Sequence, residues 1–151
     1  MKNLCLAPLA LLLSLAACKS SPGTSDPQSI VDAMAQKHSD CTRLTLHCMQ
    51  SQGSAMVCAS TLRSRVGTPS DPEDLQAMQS GETVVLEEGD DLDVTVPIIV
   101  TDGKCTTVCG VTLHKGDASR AATIARAEGI AMAVKGALGN CCPNPSVGSG
   151  R

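Results

Sequence analysis

Two alternating segments in the second half of this 151-residue chain constrain its fold most. Apolar side chains recur at every second position through 92–101, and the same period of two continues through 105–113. This spacing predicts two β-strands, because successive side chains of a strand point to opposite faces. Asp102-Gly103 separates them and is typical of a hairpin turn. Pro97 predicts an edge position or a bulge, because proline cannot donate a ladder hydrogen bond.

Weaker patterns elsewhere predict three more strands and three helices. The predicted strands cover 42–48, 55–59, 82–87, 92–101 and 105–113, and the predicted helices cover 29–37, 71–78 and 117–139. Ser29 and Asp32 fit a capping box on the first helix, and Asp117 is expected to cap the last. Five mostly antiparallel strands with flanking N- and C-terminal helices predict one α+β domain over 29–140, followed by a flexible tail over 141–151.

The complete absence of Phe, Tyr and Trp excludes several functions. Such a chain has no aromatic cage for quaternary ammonium ligands and no platform on which nucleic-acid bases stack. Its formal net charge of −3 also leaves no basic footprint. We therefore expect no nucleic-acid partner, and we expect methionine and cysteine to fill part of the core.

The N-terminal region predicts export from the cytoplasm. An apolar run over 4–17 follows Lys2, which is typical of a secretory signal peptide and too short for a permanent membrane span. The run ends in Leu-Ala-Ala-Cys, which resembles the bacterial lipobox and implies cleavage after residue 17 and lipidation of Cys18. The polar segment from Cys18 to residue 28 then predicts a flexible tether. An ordinary signal peptide with a chance cysteine is the alternative.

Lipidation would fix the protein to a membrane surface. Several acyl chains such as palmitate on one residue anchor stably, whereas a single chain binds only marginally. Many Gram-negative bacteria send a lipoprotein to the outer membrane unless Asp follows the lipidated cysteine, and here Lys19 follows it. We therefore expect an envelope lipoprotein on the periplasmic face of the outer membrane.

Seven cysteines remain after the anchor, and disulfides are their expected use in an oxidising compartment. They are Cys41, Cys48, Cys58, Cys105, Cys109, Cys141 and Cys142. An odd number leaves at least one thiol free or paired between chains. Cys105 and Cys109 are expected on one face of a strand, about 13 Å apart, where a disulfide needs Cα atoms within about 7 Å. Those two are not expected to pair, and the other connectivities stay open.

Thiols and imidazoles also cluster around the first predicted strand, which suggests a metal site as an alternative. Cys41, His47 and Cys48 are the candidate ligands. The chain has no Cys-x-x-Cys pair, no haem signature and no zinc spacing, so no cofactor is expected. A metal-binding or thiol-redox lipoprotein is therefore the second hypothesis.

The segment 59–67, which reads ASTLRSRVG, resembles the A-S-T-x-x-x-R-I-G segment of extracytoplasmic PAS-like sensor domains of the Cache group. The segments 94–98 and 109–113 are similar to the last two strands of those domains, and the resemblance spans about 29–135. It implies a PAS/Cache-like fold that binds a small organic acid or amino acid between the sheet and the loop crossing it.

The resemblance implies particular ligand contacts as well. Carried over position by position, Ser60, Thr61 and Arg65 are the candidate ligand-binding residues, and the Arg65 guanidinium suits a carboxylate. The alternative for Arg65 is a surface ion pair with Asp71 or Glu73. We expect a ligand-binding, sensor-like lipoprotein without catalytic activity, which would need a partner such as another envelope protein to pass a signal on.

Overall fold

Residues 26–139, the part of the chain that the computed structural model describes, form one five-stranded antiparallel sheet with three α-helices. The helices are α1 (Pro27–Lys37), α2 (Pro72–Ser80) and α3 (Arg120–Gly139), and a 3₁₀ turn covers Arg63–Arg65. The strands are β1 (Cys41–Met49), β2 (Ala55–Ser60), β3 (Val84–Glu88), β4 (Asp91–Thr101) and β5 (Lys104–His114). This architecture confirms the predicted α+β fold with flanking terminal helices.

The strand order β2-β1-β5-β4-β3 determines how the rest of the chain runs. The predicted hairpin joins β4 to β5, and its turn residues Asp102 and Gly103 both have the positive φ angles that such a turn requires. β2 and β3 lie at opposite edges of the sheet. The segment 61–83 between them must therefore cross the whole sheet.

One face of the sheet carries α1 and α3, and it holds the larger hydrophobic core. In the absence of aromatic side chains, aliphatic residues fill this core. Its largest fully buried members include Leu44, Leu46, Leu92, Ile98, Leu113 and Ile130. Within residues 26–139, no helix is long and apolar enough to cross a membrane.

The opposite face carries α2 and has a mixed character. Near one end lies a small apolar cluster that includes Ala55, Met78 and Val108. Toward the other end, buried polar residues alternate along the strands with the members of the larger core. These polar residues are Thr45, His47, Asp93, Thr95 and Thr112.

Both terminal helices begin at positions other than those predicted. α1 begins at Pro27, and its N-cap is Asp26 rather than Ser29. Proline is favoured in the first helical turn because its missing N–H would have no partner there. α3 begins at Arg120, beyond Asp117, and the Ser119 hydroxyl accepts a hydrogen bond from the N–H of Ala122.

Pro97 lies in β4, which is an interior strand paired with both β3 and β5. The pairing with β5 shifts register between Pro97 and Ile99, which confirms the predicted bulge. β3 pairs with β4 no further than Thr95, so the β3 side of β4 is already open at Pro97. The proline is tolerated because few ladder hydrogen bonds at this position require the N–H that proline lacks.

Candidate functional site

A cavity of about 610 Å³ opens on the α2 face of the sheet. It lies between the C-terminal half of α2, the β1–β2 hairpin and the β4–β5 turn. Its apolar lining includes Met49, Ala55, Leu75, Met78, Val100 and Cys105, and its polar lining includes Ser54, Ser70, Gln79, Ser80 and Lys104. Its volume and largely apolar wall are typical of small-molecule pockets.

Local sequence explains why α2 stops at this cavity. Gly81 adopts a left-handed conformation with φ of 72° and caps the helix, and its N–H bonds to the carbonyl of Ala77. Glycine is favoured there because it has no Cβ to clash. At the other end, Asp71 and Asp74 form a capping box, so the helix is fixed at both termini.

A buried polar cluster lies beside the cavity, and Ser70 connects the two. Ser70 lines the cavity, and its hydroxyl is 3.0 Å from Nδ1 of His47. The same Nδ1 is 3.0 Å from Oδ2 of Asp74, whose Oδ1 accepts a 3.2 Å hydrogen bond from Thr95. These contacts connect strands β1 and β4 with α2 and with Ser70, in the loop that precedes α2.

Burial sets the protonation of the central pair in this cluster. His47 is 3% exposed and Asp74 is 4% exposed. Desolvation, assisted by the positive charge of Arg65, lowers the pKa of His47 to about 4. Desolvation raises the pKa of Asp74 to about 6. Near neutral pH the imidazole is therefore uncharged and acts as a hydrogen-bond donor to the Asp74 carboxylate.

Two arginines of the cluster form ion pairs with carboxylates. Arg43 lies 3.0 Å from Asp93 and 3.2 Å from Glu88, and Arg65 pairs with Asp71. The space left among these groups is about 10 Å³. That volume holds about one water molecule at most, so the cluster fixes α2 on the sheet and offers no room for an organic ligand.

The three ligand-contact candidates from the sequence lie apart from the 610 Å³ cavity. Ser60 is fully buried, and its hydroxyl lies 3.0 Å from that of Thr45. The Thr61 hydroxyl accepts a hydrogen bond from the N–H of Leu44. Arg65 makes the ion pair with Asp71 that was the alternative to ligand binding. Their contact with a ligand stays a prediction.

The alternative metal trio is not brought together. Cys48 is disulfide-bonded to Cys58, with Cα atoms 5.9 Å apart, so its sulfur is not available to a metal. Cys41 begins β1, whereas His47 lies near its other end and donates toward Asp74. The disulfide also accounts for two of the seven cysteines that were predicted as disulfide candidates.

The other described cysteines, Cys41, Cys105 and Cys109, are free thiols. Cys105 and Cys109 are not bonded to each other, as expected, but the disulfides to other segments that were predicted for these three cysteines are not formed within residues 26–139. Cys105 and Cys109 lie in different apolar clusters rather than on one face, because the register shift between Ile99 and Val100 leaves Thr106 as an extra residue of β5. Burial raises the pKa of all three thiols, that of Cys41 to about 11. They are therefore poor nucleophiles. Cys18, Cys141 and Cys142 lie outside the described residues.

Sequence reasoning missed both the cavity and the His47–Asp74 pair. The alternation of β1 places His47 on the face opposite the buried leucines, but the same alternation is typical of a solvated face and does not indicate a buried partner in α2. The cavity gave no local signal either, because the ends of five separate elements line it.

Comparison with solved structures relates this fold to GAF domains, which are PAS-like. The GAF domain of a phosphoenolpyruvate-protein phosphotransferase from Acinetobacter matches with a TM-score of 0.55 and 19% identity, over 81% of this chain and 84% of that chain. A GAF domain/HD domain protein from Geobacter sulfurreducens matches with a TM-score of 0.56 and 9% identity, over 78% and 95% of the respective chains. The blue-light absorbing form of the PixJ GAF domain from Thermosynechococcus elongatus matches with a TM-score of 0.51 and 12% identity, over 76% and 83%.

These matches define the class of fold, and the PAS-like prediction is confirmed at that level. The three matching structures named above are GAF domains, whereas the sequence resemblance pointed to the Cache group. No family model matches the sequence, and no curated protein matches it. At such low identities the likeness concerns the fold alone.

Proposed function

We propose that this protein is a lipid-anchored envelope lipoprotein whose PAS/GAF-like domain binds a small molecule without converting it. The 610 Å³ cavity between α2 and the sheet is the observation that carries the binding function. Its wall combines apolar side chains with a few polar groups at the rim, and such walls hold a ligand largely by burial. A PAS-like fold is consistent with this role.

The chemistry around the cavity favours binding over catalysis. Cys105 is the one thiol of the described residues that lines it, and burial raises the pKa of that thiol, which keeps it protonated and weakly nucleophilic. His47 approaches the cavity only through Ser70, and its Nδ1 is directed at Asp74. Neither group is arranged as an activated nucleophile with a free base.

The anchoring part of the proposal rests on the sequence before residue 28. The signal-like apolar run and the lipobox at Cys18 support export and lipidation, and Lys19 supports the periplasmic face of the outer membrane. The tether between Cys18 and the start of α1 would hold the domain close to that membrane. An envelope protein would be the partner that responds to the bound ligand.

A single tryptophan can test binding, because the chain has no Trp, Tyr or Phe to emit in the background. Small molecules are extracted from denatured protein purified from producing cells and added to a Ser54→Trp variant, whose indole lies at the cavity. The matched control is Ser51→Trp, an exposed position of the same turn that does not line the cavity. We expect a saturable emission shift in the first variant only. Equal responses, or none in either variant, would contradict the proposal.

A further inference from the structure

The charges of the described residues single out Lys104. Six of the Lys and Arg residues in 26–139 lie in ion pairs: Arg43, Arg63, Arg65, Lys115, Arg120 and Arg126. Lys37, Lys104 and Lys135 have no carboxylate within ion-pair distance among those residues. Of these three, Lys104 is the one that lines the 610 Å³ cavity.

The cavity presents this cation without a compensating charge. Among residues 26–139, no Asp or Glu lines it, although the chain carries more acidic than basic residues. Asp102, in the same turn as Lys104, is exposed and does not contribute to the lining. Lys104 is therefore the one charged side chain among the lining residues that the structure describes, and an anionic group bound there would meet an available partner.

The cavity also extends into apolar surface that is open to water. Met49 and Val100 line it and are 37% and 60% exposed. Below them lie Ala55, Met78 and Cys105, which are buried. The wall has no aromatic ring on which a planar ligand could stack, so it suits a flexible aliphatic chain.

We propose that the ligand is a single-chain amphiphilic anion, with its aliphatic chain along the Met49–Val100 wall and its anionic head at Lys104. This inference rests on the proposed function and names the ligand class of the same cavity. Arg65, the carboxylate partner implied by the family resemblance, is already neutralised by Asp71. Lys104 is instead the cation that meets the anionic head, at the other end of α2.

The test uses four probes with the same eight-carbon chain: octanoate, octyl phosphate, octanol and octylamine, each below its micelle-forming concentration. Emission of the Ser54→Trp variant reports their dissociation constants. We expect at least one anion to bind more tightly than octanol, and octylamine to bind least. Hexanoate should bind about tenfold more weakly than octanoate, because two fewer methylenes are buried.

Lysine variants in the same reporter background test the role of Lys104. We expect Lys104→Gln to weaken binding of the preferred anion about fivefold, the effect of a partly exposed ion pair, and to leave octanol unchanged. Lys135→Gln is the matched control, because it removes an unpaired, exposed charge from α3. Equal effects of the two variants, or anion affinities no better than that of octanol, would overturn the inference.

The two proposals fail in different ways. If the cell extract shifts the emission of the Ser54→Trp variant and none of the four probes does, the ligand class is wrong and the binding function stands. If the extract also fails, the binding function itself is wrong. A preference for octyl phosphate over octanoate would identify a phosphate head, and the reverse would identify a carboxylate.

Discussion

At the scale of single residues, burial moves a proton from His47 to Asp74 between about pH 4 and pH 6. Between about pH 4 and pH 6, the unfolded chain holds a proton on the imidazole, while the carboxyl is ionised. In the folded protein the pKa of Asp74 is about 6 and that of His47 is about 4, so the proton resides on Asp74. Both states bind one proton, and the pair therefore contributes little pH dependence to stability in this window.

Replacing one member of this pair should expose the effect of the other. In His47→Gln, the pKa of Asp74 stays raised in the folded protein. Protonation of Asp74 therefore stabilises the fold below about pH 4, and this stabilisation is lost as the pH rises through about 6. We expect the free energy of unfolding to fall by about 3 kcal/mol across that window relative to His47→Gln/Asp74→Asn. Urea unfolding followed by circular dichroism measures it. Identical pH profiles of the two variants would refute the raised pKa.

At the scale of elements, the β1–β2 hairpin depends on the Cys48–Cys58 disulfide. The strand register shifts between Leu46 and His47, and Cys58 is the extra residue that this bulge leaves unpaired. The disulfide thus holds the edge strand where the ladder is interrupted. The same hairpin supplies one wall of the 610 Å³ cavity, through Met49, Ser54 and Ala55 among others.

Removing the disulfide should loosen both the fold and the cavity. We expect Cys48→Ala/Cys58→Ala to lose about 2–3 kcal/mol of unfolding free energy, because the unfolded chain is no longer cross-linked. Urea unfolding without reductant measures the loss, and Cys41→Ala serves as a free-thiol control. Adding reductant should destabilise the unmodified protein to the same extent and leave the double variant unchanged. If reductant affects both proteins equally, the disulfide does not stabilise the fold.

Local sequence patterns predicted the strands and helices more accurately than they predicted which faces of the sheet are covered. The alternation in β5 placed that strand within one residue of each end, because a period of two follows directly from strand geometry. The same alternation in β1 and β4 is typical of a sheet with one solvated face. Here Thr45, His47 and Thr95 are buried instead, because α2 covers that face. No pattern within the strands carries this information.

At the scale of the whole molecule, strand order decides where the site lies. With β2 and β3 at opposite edges, the connection between them must span the sheet, and its length of 23 residues (61–83) accommodates α2 on the way. The cavity then forms where α2 ends, between two hairpin turns. Sequence resemblance directed attention to the start of this crossing, at Ser60, Thr61 and Arg65, whereas the cavity lies toward its other end. Pairing order is a non-local property, so the local motif did not locate the cavity.

Anchoring and ligand binding should be separable, because they belong to different parts of the chain. Cys18→Ser should abolish incorporation of an alkyne-tagged palmitate and move the protein from the membrane fraction to the soluble periplasmic fraction. Cys5→Ser, within the predicted signal peptide, is the matched control and should keep both label and membrane association. Ligand affinity, measured with Ser54→Trp, should be the same with and without the anchor, since the lining residues that the structure describes all lie between Met49 and Cys105. Retention of the palmitate label in Cys18→Ser would rule out the lipobox assignment. A change in affinity would instead mean that the tether reaches the cavity.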